Sequence, residues 1–203
     1  MLYLLVVWVP MRDADIRGCL RRRLVAAYGG DRSTLILDEL GICSGLARVD
    51  MAVVNGELKG FEIKSDRDSL TRLPSQSHLY GKVFDTMTLV TGPRHLKKVR
   101  SSVPAWWGIV VANTNQNGSL RLEQVRCDGI NDKQDGHSLV QLLWRDEALE
   151  LLRTSGLARG LRNRARSYLW ETLVVNVSLG DLRSMVREQL KTRKNWRVAA
   201  AQM

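Results

Sequence analysis

Hydrophobic positions in this chain change period several times, and each change marks the edge of an element. Residues 13–27 place Ile16, Cys19, Leu20, Leu24 and Ala27 at helical spacing with arginines on the other side, which predicts an amphipathic helix. Asp13 is placed to cap its start and Gly29-Gly30 to end it. The apolar run 34–40 then predicts a buried strand closing on Asp38-Glu39. Residues 48–54 and 58–64 are two β-rich runs around Asn55-Gly56-Glu57, the signature of a hairpin. Leu70, Leu73, Leu79 and Val83 predict a helix over 69–83, with Pro74 near its start or at a kink. Strands are expected at 86–92, 106–112 and 120–125, with a short helix at 94–101 and a polar turn at 113–118.

After residue 138 the pattern turns helical. Residues 139–152 read as one helix, and Ser178 is placed to cap a last one running toward Trp196. Helix, three strands, helix and strand up to residue 91 predict an α/β sandwich core rather than a bundle or an all-β barrel. The expected division is a core over 1–137 and a basic helical extension over 138–203, packed on the core or hinged to it. The opening ten residues suit a short strand ended by Pro10, or else Met11 is the natural start. They are too short to span a bilayer, which takes roughly 20 residues, and they lack the basic region of a signal peptide.

Composition narrows the partners. The 44% hydrophobic content suffices for a core. The 31 Lys and Arg outnumber 21 Asp and Glu, giving a net charge of +10 and a pI near 10.0, which favours polyanions, nucleic acid before membrane surface. Five arginines and no acid occur within 153–170, with Trp170 and Trp196 nearby to stack bases; the alternative is a solvated basic face. Membrane association is the weakest of these readings, since the basic helices have too little apolar face to anchor alone. Cys19, Cys43 and Cys127 are far apart and form no metal or disulfide framework, so they read as core residues of a cytoplasmic protein. His78, His95 and His137 lack metal-ligand spacing, and His78 reads as a surface or half-buried residue rather than a base.

Candidate chemistry concentrates in the hairpin. Successive strand residues face opposite sides, so Glu62 and Lys64 share a face with Gly60, and Asp50 shares one with Ala52 and Val54. A two-residue turn would set Asp50 opposite Phe61 and point the two acids apart. A three-residue loop, Asn55-Gly56-Glu57, sets Asp50 opposite Glu62, and that register is the one expected. Two converging carboxylates repel, and a hard divalent cation, Mg²⁺ or Mn²⁺, relieves the repulsion. A lysine beside such a site can orient water or steady an anionic transition state. A charged solvent face of a hairpin is the competing reading. Gln76 and Tyr80, spaced i and i+4, share a helix face, either toward a substrate or as a half-exposed stripe. Arg72 and Lys82 are phosphate contacts or surface residues, and Asp66 and Asp68 belong to the turn before the helix, Asp68 as its cap.

Glu39, Asp50 and Glu62-Ile63-Lys64, set on helix-strand-strand-strand-helix-strand, resemble the PD-(D/E)XK nuclease superfamily. More narrowly they resemble a small bacterial and phage branch of it, from DADIR (13–17) through residues 38–95 to LWRDEALELL and QLKTRKNWR in the tail. The "PD" is reduced to Asp50, since no proline precedes it. The resemblance implies a restriction-endonuclease-like core, a mixed sheet flanked by helices, and a Mg²⁺-dependent deoxyribonuclease. In it Asp50, Glu62 and the Ile63 carbonyl hold metal, Lys64 is the catalytic lysine, and Glu39 is an auxiliary acid. Nucleic acid, DNA first, is the implied partner, contacted through Gln76, Tyr80, Arg72, Lys82, Arg162, Arg164 and Arg166, with a homodimer as the form that cuts two strands. The alternative is a non-catalytic nucleic-acid-binding or phage-defence module that keeps the fold.

Overall fold

A computed structural model describes residues 11–115, 117–193 and 196. The two readings of the first ten residues lie outside that range. The chain begins with α1 (Asp13–Tyr28), followed by β1 (Leu35–Ile42), β2 (Ala47–Val54) and β3 (Leu58–Lys64). Next come α2 (Leu73–Gly81), β4 (Thr86–Thr91), α3 (Leu96–Ser102), β5 (Gly108–Thr114) and β6 (Leu120–Arg126). Four helices complete it: α4 (Gly136–Val140), α5 (Arg145–Thr154), α6 (Arg166–Asn176) and α7 (Leu179–Thr192). This is an α/β architecture with six strands and, among the described residues, seven helices.

The strands lie in chain order across one sheet. β1, β2 and β3 run antiparallel, β3, β4 and β5 parallel, and β5 and β6 antiparallel. The parallel steps require crossovers, and α2 and α3 supply them. On one face Ile16, Leu20 and Leu24 of α1 pack with Met51, Val53, Ile63, Val90 and Val110. On the other, Ala52, Val54, Leu58, Leu89 and Ile109 meet Tyr80, Phe84 and Trp107 together with Leu139, Leu152, Leu169, Leu182 and Leu190 of the C-terminal helices. Those helices therefore share one core with the sheet. Burying each such leucine contributes roughly 1.5–3 kcal/mol.

Several local expectations shift. The cap of α1 falls on Arg12 rather than Asp13, with Asp15 accepting the Arg12 N–H at 3.2 Å. Asp68 caps no helix: its carboxylate accepts from Ser65 N and Oγ at 2.7 and 2.6 Å, and α2 starts five residues later with Pro74 in its first turn. The single helix expected over 139–152 is two, because Trp144 is extended (φ −71°, ψ 163°). Glu147 accepts the Trp144 N–H at 2.7 Å and so starts α5 afresh. Helix α6 went unpredicted within an arginine-rich stretch; its Leu169 and Leu173 are buried. Ser178 caps α7 as expected, accepting the Asp181 N–H at 3.2 Å. Of the adjacent tryptophans, Trp107 is fully buried and Trp106 partly so.

Candidate functional site

The hairpin adopts the three-residue loop. Val54 pairs with Leu58, Ala52 with Gly60 and Met51 with Phe61, the register that sets Asp50 across from Glu62. Asn55 closes the loop, its N–H donating to the Glu57 carbonyl and its side-chain oxygen accepting the Glu57 N–H, both at 3.0 Å. Beyond the last paired residues, Asp50 Oδ2 accepts the Ile63 N–H at 2.7 Å, which fixes the aspartate beside the Glu62 strand. The end of β3 is tied to β4: Gly92 N–H and Thr91 Oγ1 both donate to the Lys64 carbonyl at 3.1 Å.

Glu62 is only 2% exposed, and each of its oxygens is engaged. Oε1 accepts from Lys64 Nζ at 2.5 Å and from Gln76 Nε2 at 2.8 Å; Oε2 lies 2.7 Å from the Tyr80 hydroxyl. That hydroxyl also sits 2.8 Å from the Arg48 carbonyl and accepts from Gln76 at 3.2 Å. Burial raises the Glu62 carboxyl above its ordinary range and the Asp50 charge adds to this, while Lys64 and Tyr80 pull it back. Burial and the neighbouring Glu62 push the Tyr80 phenol up, so it stays a neutral donor. The i, i+4 pair on α2 thus faces Glu62 from inside, and Tyr80 is fully buried rather than half-exposed.

Arg17 completes the cluster from α1, packed on the opposite face. Its guanidinium meets Asp50 Oδ1 at 2.5 Å, the Asp50 carbonyl at 2.9 Å, Glu39 Oε1 at 2.9 Å and Asp13 Oδ1 at 3.3 Å. Burial disfavours its charge, but Asp50, Asp13 and Glu39 outweigh this and hold its pKa above the usual value. Glu39 reaches Arg17 from a left-handed backbone, φ 54°, a conformation costing a non-glycine residue on the order of 1–3 kcal/mol. The Asp13 carboxyl is raised by burial, a rise that Arg17 moderates and Asp50 reinforces. Sequence reasoning missed Arg17; the one local signal was its i, i+4 spacing from Asp13.

Asp50, Glu62, Lys64, Arg48, Arg72 and Gln76 line an open cavity of about 420 Å³. The structure thus brings Asp50, Glu62, Lys64, Gln76 and Tyr80 together, with Glu39 linked through Arg17 and Arg72 at the exposed rim. Lys82 is elsewhere, at the end of α2. Both carboxylates already have cationic partners, Asp50 in Arg17 and Glu62 in Lys64. Among the described residues no group of three His, Cys, Asp or Glu side chains is placed to hold a metal ion. The donor set as arranged does not fit a resident divalent cation.

Arg162, Arg164 and Arg166 lie away from this cavity, in the turn between α5 and α6 and at the α6 start. With Arg159 they are exposed, and among the described residues none is ion-paired with an acid. Arg153, by contrast, is paired with Glu150 at 2.8 Å. The Arg164 guanidinium sits 4.9 Å from the Tyr168 ring centre and that of Arg166 4.6 Å from Trp170. The two tryptophans expected to stack bases have other duties. Trp170 donates its indole N–H to the Leu143 carbonyl at 3.3 Å, and Trp196 donates to the Leu190 carbonyl at 3.1 Å. The exposed aromatic of the segment is Tyr168, whose signal was its i+4 spacing from Arg164.

Fold and site define an α/β protein that carries a closed carboxylate–cation cluster on a mixed sheet and, apart from it, an arginine-rich turn. The chain belongs to the bacteriophage P4 protein cII family, whose model matches residues 14–199. It is 29% identical over 158 residues to protein cII of Enterobacteria phage P4, an alignment covering 78% of this chain. That alignment spans 59% of the phage protein, less than two thirds of its length. No solved structure matches the chain.

This family assignment overturns the resemblance to the PD-(D/E)XK superfamily, and with it the reading as a nuclease or phosphodiester hydrolase. The physical source of the error is that acids and a lysine on one strand face are equally the makings of an internally compensated ion-pair network. No described helix is long and apolar enough to cross a membrane.

Proposed function

We propose that this protein binds nucleic acid, DNA first, through the arginines of 159–166. The observation that carries the reading is their state: four exposed guanidinium groups within eight residues, none spent on an acidic neighbour among the described residues. Arg17 and Arg193, by contrast, are held by Asp50 and Glu147. Unpaired arginines release counterions when they meet phosphates, which makes binding strong at low salt and weak at high salt. The proposal places the protein in the cytoplasm, where its unbridged Cys19, Cys43 and Cys127 stay reduced.

The test is a salt titration of DNA binding by wild type and by a triple variant, Arg162→Gln, Arg164→Gln and Arg166→Gln. The triple variant is expected to bind more weakly on every sequence, and its log–log salt slope to be shallower by about 2–3. Arg153→Gln, which touches an arginine already paired, serves as the control and changes little. Unchanged affinity and slope in the triple variant would remove this surface from the reading.

Magnesium or manganese on Asp50, Glu62 and the Ile63 carbonyl is a subordinate proposal, conditional on Arg17 and Lys64 withdrawing. Millimolar Mn²⁺ is expected to raise the melting temperature of Arg17→Gln more than that of wild type. A cation is excluded from the carboxylates if neither Arg17→Gln nor the double variant Arg17→Gln, Lys64→Gln responds to Mn²⁺. At the level of architecture alone, the run from α1 through β4 is proposed to be a restriction-endonuclease-like core, on element order and without any implication of activity.

A further inference from the structure

The basic turn carries more than charge, and its details point to the form of nucleic acid it takes. Tyr168 is 48% exposed, and among the described residues its hydroxyl makes no hydrogen bond. The Arg164 guanidinium lies over its ring, 4.9 Å from the ring centre. The backbone beneath is held in place. Arg145, at the start of α5, donates to the Arg162 carbonyl and, at 3.3 Å, to the Arg164 carbonyl. Leu161 is buried below the turn, and its carbonyl accepts the Arg164 N–H at 3.0 Å. Gly160 takes the left-handed conformation, φ 75°, that lets the chain fold back there. The arginines and the ring are thus presented on a preorganised base, and little ordering is required on binding.

A half-exposed ring with a guanidinium over it, among arginines without acidic partners, is suited to an unstacked base whose flanking phosphates meet the arginines. In a duplex the base faces are occupied by their neighbours, and a ring on an exposed turn meets only the backbone and groove edges. Resting on the nucleic-acid reading above, we infer that the 159–168 surface selects single-stranded nucleic acid, one base stacking on Tyr168 while Arg162, Arg164 and Arg166 hold the backbone.

The experiment measures binding of a labelled single-stranded oligonucleotide and of the same sequence as a duplex. Wild type, Tyr168→Ala, Tyr168→Phe and the triple arginine variant are compared at one salt concentration, after circular dichroism has confirmed their fold. Wild type is expected to favour the single strand. Tyr168→Ala is expected to weaken single-strand binding by about 5- to 150-fold and to leave the duplex unaffected, while Tyr168→Phe keeps the wild-type affinity. Three outcomes overturn the inference: equal weakening of both forms by Tyr168→Ala, no weakening of either, or a loss in Tyr168→Phe matching that in Tyr168→Ala, which would assign the effect to the hydroxyl. Arginine-dependent binding without a ring effect leaves the nucleic-acid reading standing and sinks only the single-strand inference. Absence of binding to both forms overturns the two together.

Discussion

Lys64→Met is expected to cost about 3–5 kcal/mol of unfolding free energy, because it strands the Glu62 carboxylate without its cation. Both groups are buried, and the ammonium lies 2.5 Å from Glu62 Oε1. Gln76 and Tyr80 would still donate to Glu62, but they are neutral and cannot replace a charge. The loss should depend on pH with a definite sign. The Glu62 carboxyl is already raised in the folded protein, and removing Lys64 deletes an influence that lowers it. Stability tied to a raised carboxyl is fully present below its ordinary value near 4.5 and falls as pH rises through the folded value. The gap between wild type and Lys64→Met therefore widens from acid toward neutrality. Denaturant melts across that range measure it directly. Adding Glu62→Gln should recover most of the loss, since no charge is then buried alone. A single variant within 1 kcal/mol of wild type at neutral pH would mean that the amine does not compensate Glu62.

Glu147→Ala should be comparably severe, at about 3–5 kcal/mol or a melting temperature about 6–20 °C lower. Glu147 receives Arg193 through two bonds of 2.6 and 2.5 Å, and the arginine side chain is 5% exposed. The same guanidinium donates to the Leu142 carbonyl at 2.8 Å and lies between Trp144 and Trp196, 4.3 and 4.5 Å from their ring centres. Because Glu147 also caps α5 through Trp144, its loss unlatches α7 and frays the α5 start together. Arg193→Lys should also destabilise, since an ammonium can neither fork to a carboxylate nor stack between indoles. Urea melts followed by tryptophan fluorescence report both. A loss below 1 kcal/mol in Glu147→Ala would show that the clasp does not hold the C-terminal helices to the core.

The hairpin was legible because strand alternation assigns faces without tertiary information. Glu62 and Lys64 were placed on one face from their positions alone, and the three-residue loop then brought Asp50 to that face. Their neighbours were less legible. Gln76 and Tyr80 could be assigned a common helix face, but nothing local says whether that face meets solvent or Glu62. Arg17 was invisible as a partner because it lies 33 residues from Asp50 and meets it only once α1 packs on the sheet. Helix α6 was obscured by the arginines around it, and the break between α4 and α5 depends on Glu147 finding Trp144 and Arg193.

Misreading the chemistry had the same origin. A lysine and two acids on one face specify a concentration of charge, and they do not specify what neutralises it. In the folded protein Arg17 and Lys64 do so from within, and the cluster of exposed arginines at 159–166 lies in another part of the chain.

By itself the sequence determined the α/β class, the strands, the faces of the hairpin residues and the excess of basic charge. These follow from periodicity and composition, which act over a few residues or over the whole chain. Only the tertiary structure decided which arginines are consumed by carboxylates, which aromatics are buried and which are left free. Ion pairs and packing contacts form between segments far apart in the chain, and local pattern holds no record of their distances.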